Sequence, residues 1–295
     1  MSKGLFVGLC GMDVVFYENK PLPQEDVKMK VSDVRSCIGG PAANAAITNA
    51  LLGGESTVVS YIGNSPIGLV IKQLMAGYGI KVIDMCEDTD VKCISSIYVN
   101  TGNATRTILS GRNAIHQLKD KAILKELIQE HDYVLYDGHF PQLDDVLLPT
   151  VEETQTPLVI DVGGWKDTFN LILCHHPILI CSQVFRDEDG KDGIDLMEKF
   201  GMKHVAITRG PRPVLYKTDH MTQRQEIEVP KVNAIDTLGA GDIFHGAFCY
   251  FMFEKHLDFE GALAKACDVA STSTTVYGVV DGVKCYLSQM GGESV

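Results

Sequence analysis

The chain has 295 residues, of which 45% are hydrophobic and 22% charged, with a formal net charge of −12. This is the composition of an ordinary folded α/β-sized chain, and its acidic balance repels phosphate backbones, so no nucleic-acid partner is expected. No apolar run reaches the roughly 18 residues of a membrane span, residues 5–10 are too short for a secretion signal, and the nine cysteines show no zinc spacing, so no membrane partner and a reducing, cytoplasmic location are expected.

In chain order, residues 4–10 form a continuous apolar run, the pattern of a parallel strand covered on both faces. Gly11, Met12 and Asp13 follow. Ligands of open α/β sheets gather at the carboxyl ends of strands. A carboxylate there can accept hydrogen bonds from two vicinal hydroxyls, although a plain turn residue explains Asp13 as well. Residues 13–38 have mixed polarity and little helical period. Gly39, Gly40 and Pro41 open a helix over 42–52 that carries Asn44 and stops at Gly53 and Gly54. A strand over 57–62 and a helix over 69–76 come next.

Residues 92–110 read as two alternating strands joined at Asn100, Thr101, Gly102 and Asn103. Arg106 lies on the second and Arg112 just beyond it; each is either a ligand contact or a solvated charge. Together with 13–38 this segment forms a small β-layer, or else surface hairpins. A helix over 118–130 precedes a strand over 133–136, after which Asp137, Gly138 and His139 face the sheet edge; His139 either touches a ligand or packs. Strands over 157–161, 178–181 and 204–208 and a helix over 192–200 continue the alternation. The last of these strands runs into Thr208, Arg209 and Gly210. Alternating strand and helix predicts an α/β fold with a mainly parallel sheet and helices on both faces, in a single domain over 1–295.

The most informative segment is Asp236, Thr237, Leu238, Gly239, Ala240, Gly241 and Asp242, leading into a helix over 242–256. Ile243, Phe244, Ala247, Phe248, Phe251 and Met252 recur at three- and four-residue steps, so one face packs inward. Small residues leave the N–H groups at the helix start uncovered, and with the helix dipole they attract anions. Asp242 then stands beside the anion, where a carboxylate can take a proton from an attacking hydroxyl; an acid that merely favours a helix start is the bland alternative. On a helix over 264–276, Ala270, Ser271 and Thr274 form a small-residue face that leaves room for a flat base or for close packing.

The string from Asp236 to Gly246 resembles the ribokinase-like (PfkB-type) carbohydrate kinase signature D-T-x-G-A-G-D-x-F-x-x-G. Asp236, Thr237, Gly239, Ala240, Gly241, Asp242, Phe244 and Gly246 all match. The resemblance implies a three-layer α/β/α sandwich with a small β-sheet lid built from about 13–38 and 92–110. It implies Asp242 as catalytic base and the backbone of Gly239, Ala240 and Gly241 as anion hole. Gly39, Gly40 and Asn44 are similar to the family's GG-x-x-x-N, with hinge glycines and a sugar-binding asparagine. Asp13 falls at a sugar-binding position, and Arg106 on a lid strand. Thr208 and Gly210 match a T-x-G segment along the nucleotide, with Asp236 and Thr237 on the same side and Ala270 and Thr274 near adenine.

The resemblance further implies ATP and Mg2+, a monovalent cation near Asp236, Thr237, Tyr277 and Gly278, and a homodimer through the lid. Two features depart from the family. Ser182 to Phe185 replace an N-x-x-E motif that organises water around magnesium, and the loop over 63–68 has lost two acids. The expected function is ATP-dependent phosphorylation of a hydroxyl on a small, sugar-like substrate. A nucleoside or vitamin-alcohol kinase of the same fold is one alternative. A non-catalytic sugar or nucleotide sensor is another, although a pure binder needs no base. A dinucleotide-dependent oxidoreductase would need Gly-x-Gly-x-x-Gly after an early strand, which Gly11, Met12 and Asp13 do not supply.

Overall fold

A computed structural model describes residues 1–87, 93–103, 105–111, 119–166 and 168–291. The strands are β1 (Lys3–Val7), β2 (Gly11–Glu18), β3 (Asp33–Gly39), β4 (Glu55–Ser60), β5 (Lys81–Asp84), β6 (Ile94–Asn100), β7 (Thr105–Ser110), β8 (Tyr133–Tyr136), β9 (Leu158–Val162), β10 (Ile178–Ser182), β11 (His204–Arg209), β12 (Arg212–Thr218) and β13 (Gln225–Ile227). The helices are α1 (Pro41–Leu52), α2 (Pro66–Gly77), α3 (Ala122–Glu130), α4 (Asp144–Thr154), α5 (Phe169–Leu173), α6 (Met197–Phe200), α7 (Ala240–Cys249), α8 (Phe259–Ser273) and α9 (Val279–Met290). A π-helical turn at Tyr250–Glu254 extends α7.

The large sheet has nine strands in the order β13-β12-β11-β10-β9-β8-β1-β4-β5. From β5 to β11 the pairs are parallel, and β12 and β13 add an antiparallel edge. Successive side chains on a strand point to opposite faces, and here both faces are covered. Phe6, Leu135, Val159, Ile180 and Ala206 enter one core with α1, α7 and α8. Leu5, Val7, Val134, Ile160 and Leu179 enter the other with α3, α4 and α5. These runs are apolar without interruption because neither side meets water. Among the described residues no helix is long and apolar enough to cross a membrane, and the nine cysteines are free.

The segments expected to form a small β-layer do so, as a four-stranded sheet ordered β3-β2-β6-β7. Its register assigns each residue to a face. Asp13 opposes Cys37 and Ser95, Val15 opposes Arg35 and Ile97, and Tyr17 opposes Asp33 and Val99. Ser110, Ile108 and Arg106 extend these rows on β7. Val15, Tyr17, Ile97 and Val99 are buried against Leu238 and Tyr277. This face is therefore the inner one, turned toward the glycine-rich string.

Three expected elements differ. The first strand stops at Val7, so Asp13 stands on β2 of the small sheet and not at the carboxyl end of β1. The helix over 192–200 shrinks to Met197–Phe200. The Asp192 carboxylate accepts from the Ile194 and Asp195 N–H groups at 3.0 Å each, which favours turns over helix there. The helix over 242–256 is regular only to Cys249 before its π-helical turn.

Candidate active site

The glycine-rich string bends where α7 begins. Gly239 has φ 74° and ψ 2°, a left-handed conformation that favours glycine. A Cβ there would also meet Val279 Cγ2 at 2.7 Å. Of the first N–H groups of α7, that of Ala240 donates to the Thr237 carbonyl at 3.4 Å, and the next two precede the first intrahelical bond, from the Ile243 N–H to the Gly239 carbonyl at 2.9 Å, so the turn is suited to an anion.

Asp236 braces this turn. Its Oδ1 accepts from the Leu238 N–H at 2.9 Å. Its Oδ2 accepts from the Tyr17 hydroxyl at 3.1 Å and from the Gly278 N–H at 3.1 Å. The Ile235 and Asp236 N–H groups donate to the Thr274 carbonyl at 2.8 and 3.1 Å, and the Thr274 hydroxyl donates to the Ser271 carbonyl at 2.7 Å. Asp236 and Thr274 thus hold the loop, and Ala270 packs against the core. None of the three lines the cavity described below. With donors on both oxygens, the Asp236 carboxylate acts as a brace for the loop.

Asp242 lies in the first turn of α7 and is half-buried. Its Oδ2 accepts from Asn44 Nδ2 at 2.7 Å. The contact is possible because α1 and α7 cross closely; a Cβ on Gly246 would meet the Ala45 carbonyl oxygen at 2.3 Å. Burial, and then the neighbouring Asp161 charge, push the Asp242 carboxyl up from 3.8 to about 7, against the Asn44 hydrogen bond and His245. Asn44 is 5% exposed, and its Oδ1 is buried with no hydrogen-bond partner among the described residues.

A cavity of about 370 Å³ opens in front of this turn. From the α7 side it is lined by Thr237, Gly239, Ala240, Gly241, Asp242 and His245. Asp137, Asp161, Ser182 and Thr208 line it at the carboxyl ends of β8, β9, β10 and β11, as the rule for open α/β sheets predicts. Lys166 and His139 come from the loops that follow, and Arg106 reaches in from the inner face of the small sheet. The Asp137 carboxylate is already engaged by the N–H groups of Leu9, Ala42 and His139 at 2.8, 3.4 and 3.1 Å.

Asp13, Gly39 and Gly40 form a wall beside the start of α1, outside the cavity lining. A Cβ on Gly39 would meet Asp13 Oδ2 at 2.1 Å, and one on Gly40, at φ 100°, would meet the Leu9 carbonyl oxygen at 2.4 Å. Burial raises the Asp13 carboxyl, opposed by a hydrogen bond with Ser95. Gly210 forms the tight turn between β11 and β12 at φ 63°, also outside the cavity. Arg209 is paired with Glu226 at 2.8 Å. Arg112 lies outside the described residues. Phe185, at the place of the family's glutamate, is fully buried against Trp165 and Phe169.

Four lining residues were not singled out from the sequence as chemical groups: Asp137, Asp161, Lys166 and His245. Three carried a signal. Asp137 follows a buried strand and Asp161 ends one, which is where ligands collect. His245 lies one helical turn after Gly241, so it faces the same side.

The model of the pfkB family carbohydrate kinases matches residues 1–158 and 172–284. The chain is similar to a ribokinase from Dictyostelium discoideum, with 23% identity over 92% of this chain and 94% of that protein. It is similar to a guanosine-inosine kinase from Exiguobacterium acetylicum, with 24% identity over 84% of this chain and 86% of that protein. A solved structure of Arabidopsis thaliana ribokinase complexed with ribose and ATP aligns with a TM-score of 0.78 and 19% identity, covering 97% of this chain and 98% of the other.

Proposed function

The chain belongs to the pfkB family of carbohydrate kinases, and from that premise we propose that it transfers the γ-phosphoryl group of ATP to a hydroxyl of a small, ribose-like sugar, with Asp242 as the base. One observation carries the assignment of the base. In the first turn of α7, behind a left-handed glycine, stands a carboxyl raised to about 7 and held by Asn44. A base works best with a pKa near the working pH. In this reading the acceptor hydroxyl donates its proton to Asp242, whose carboxylate Asn44 holds in place through Nδ2. Asp242 takes its proton as the oxygen attacks phosphorus.

The N–H groups of Gly239, Ala240 and Gly241 receive the charge that develops on the transferred group. Arg106 and Lys166 face it from two further walls. Asp13 holds a second hydroxyl, and the inner face of the small sheet closes over the sugar to exclude water. On the nucleotide side Thr208 and Thr237 lie along the phosphates, with Gly210 shaping the turn beyond Thr208.

Magnesium enters with ATP as part of the substrate. The cavity carboxylates already face donors or His245, and among the described residues no group of three or more His, Cys, Asp or Glu side chains is suited to a metal. Magnesium carried mainly by phosphate oxygens and water fits that setting. The proposal extends to a homodimer through the outer face of the small sheet, where Val34 and Leu109 are 51% and 68% exposed; a monomer in sedimentation velocity would refute that part.

The test is ADP release from MgATP across ribose, deoxyribose, hexoses, ketoses, sugar phosphates, guanosine and inosine, with Asp242→Asn as control. Turnover on a pentose, lost in the variant, supports the proposal. The Exiguobacterium relative supports a second reading, a nucleoside kinase, and turnover confined to guanosine or inosine would select it. Binding of MgATP and sugar without turnover would leave a sensor.

A further inference from the structure

Behind the turn that opens α7 lies a buried group of charges. His245 is 4% exposed. Its Nδ1 is 2.8 Å from the Gly241 carbonyl oxygen, and its Nε2 is 3.1 Å from the Ile180 carbonyl oxygen. The same Nε2 is 3.4 Å from Asp161 Oδ1. The ring thus joins the first turn of α7 to the end of β10 and touches the carboxylate on β9.

A neutral imidazole has one N–H and one lone pair. Both backbone partners here are carbonyl oxygens, which only accept. A neutral ring would turn its lone pair toward one of them in a nearly buried setting, and such a mismatch is costly. A ring that donates to both carries two protons and a positive charge, and Asp161 stands where its counter-charge is needed. Asp242 is one turn away on the same helix as His245.

We propose that Asp161 and His245 form a buried ion pair that serves as a positioning device for Asp242: His245 fixes the anion-hole turn through the Gly241 carbonyl, and the two opposite charges set, from opposite sides, the charge that Asp242 carries. The role rests on the reading of Asp242 as base. Asp242 is flanked by Asp161 on β9, Asp137 after β8, Asn44 on α1 and His245 on α7 itself, and Arg106 on β7 and His139 and Lys166 from the loops line the same cavity. Asp161 and Asp137 raise the Asp242 carboxyl, while Asn44 and His245 oppose them. Asp161 in turn is raised by burial, lowered by His245 and His139, and raised by Asp137. Removing either member of the pair therefore moves Asp242 in a direction fixed in advance.

The test needs no substrate. In protein labelled with ¹³C at the aspartate carboxyls, the Asp242 signal is assigned by its loss in Asp242→Asn. It is then titrated in wild type, Asp161→Asn and His245→Gln, with thermal melts to show that each variant is folded. The expected midpoint falls in Asp161→Asn and rises in His245→Gln, each by about one pH unit, as a lost charge at this range implies. In wild type, ¹⁵N spectra of the His245 ring at neutral pH are expected to show two protonated nitrogens, a result that does not depend on the variants folding. A ring with one unprotonated nitrogen, or any pattern other than opposite displacements in folded variants, overturns the proposal. A merely structural role would lower the melting temperatures without that pattern. Failure of the base assignment would appear elsewhere, as turnover retained in Asp242→Asn.

Discussion

Replacing Asp242 with Asn is expected to make the protein more stable and catalytically inert. The Asp242 carboxyl is raised from 3.8 to about 7, so the folded chain binds this proton more tightly than the unfolded one. Between those two values the unfolded state holds fewer protons, and stability falls as pH rises. Below about 4 the penalty is absent, and above about 7 it is fully developed. At 1.36 kcal/mol per pH unit the displacement corresponds to roughly 4 kcal/mol as an upper bound. Asp242 is only half-buried, and contact with water reduces the figure to ~1–3 kcal/mol. In a chain of this size that is a rise of a few degrees in melting temperature. An Asn side chain can still accept from Asn44 and carries no charge to desolvate. Scanning calorimetry of both proteins at about pH 4.5 and pH 8 should therefore show a gain for the variant that is larger at the higher pH. Turnover should drop by about 10²–10⁴-fold, the usual worth of a general base. A melting difference independent of pH, or turnover within a few-fold of wild type, would refute the reasoning.

Asn44→Ala removes the donor that lowers the Asp242 carboxyl, so the acidic limb of the pH–rate profile should move to higher pH; an unmoved limb would separate Asn44 from the base. Tyr17→Phe leaves one oxygen of the buried Asp236 short of a donor, at a cost of ~1–3 kcal/mol. Hydrogen exchange should then quicken in β2 and across residues 236–241 together, and a change confined to β2 would show that the brace does not link them. Gly246→Ala drives a methyl to within 2.3 Å of the Ala45 carbonyl oxygen. It should cost ~1–3 kcal/mol by overpacking and weaken the Asn44–Asp242 contact, and an unchanged melting temperature would count against the tight crossing of α1 and α7.

The sheet interior was readable because parallel strands covered on both faces carry continuous apolar runs, as at Tyr133–Tyr136 and at Val205, Ala206 and Ile207 in β11. The glycine-rich string was readable because only small residues tolerate that turn. Other elements lacked a local signal. Helix α4 contains Pro149, which local preference would place at a boundary. Packing of Leu147, Leu148 and Val151 into the core overrides it. The antiparallel edge strands β12 and β13 are partly exposed and mixed in polarity, so no continuous run marks them. In the site, the family resemblance implied Asp236 and Thr274 as ligand contacts, and in the fold their polar atoms bond within the loop itself. The partnership of Asn44 with Asp242 spans 198 positions, and only the crossing of two helices creates it. For His245 the sequence offered only its spacing from Gly241, because its partners are backbone carbonyls from α7 and β10 and the distant carboxylate of Asp161 on β9.

The pairing of β6 with β7 limits how the inner face of the small sheet can vary. Arg106, Ile108 and Ser110 share the inner face only because Val99, Ile97 and Ser95 stand opposite them. Side chains on a strand alternate with a period of two. A slip of β7 by one residue at the turn over 101–103 would exchange the inner row for Thr105, Thr107 and Leu109, removing the guanidinium from the cavity at one stroke. A slip of two would return Arg106, Ile108 and Ser110 to the inner face, each displaced by one facing pair along β6. Length changes in that turn thus act like a reading frame: even steps slide the inner row along, and odd steps turn it away, while Asp242 and the glycines of α7 stay untouched.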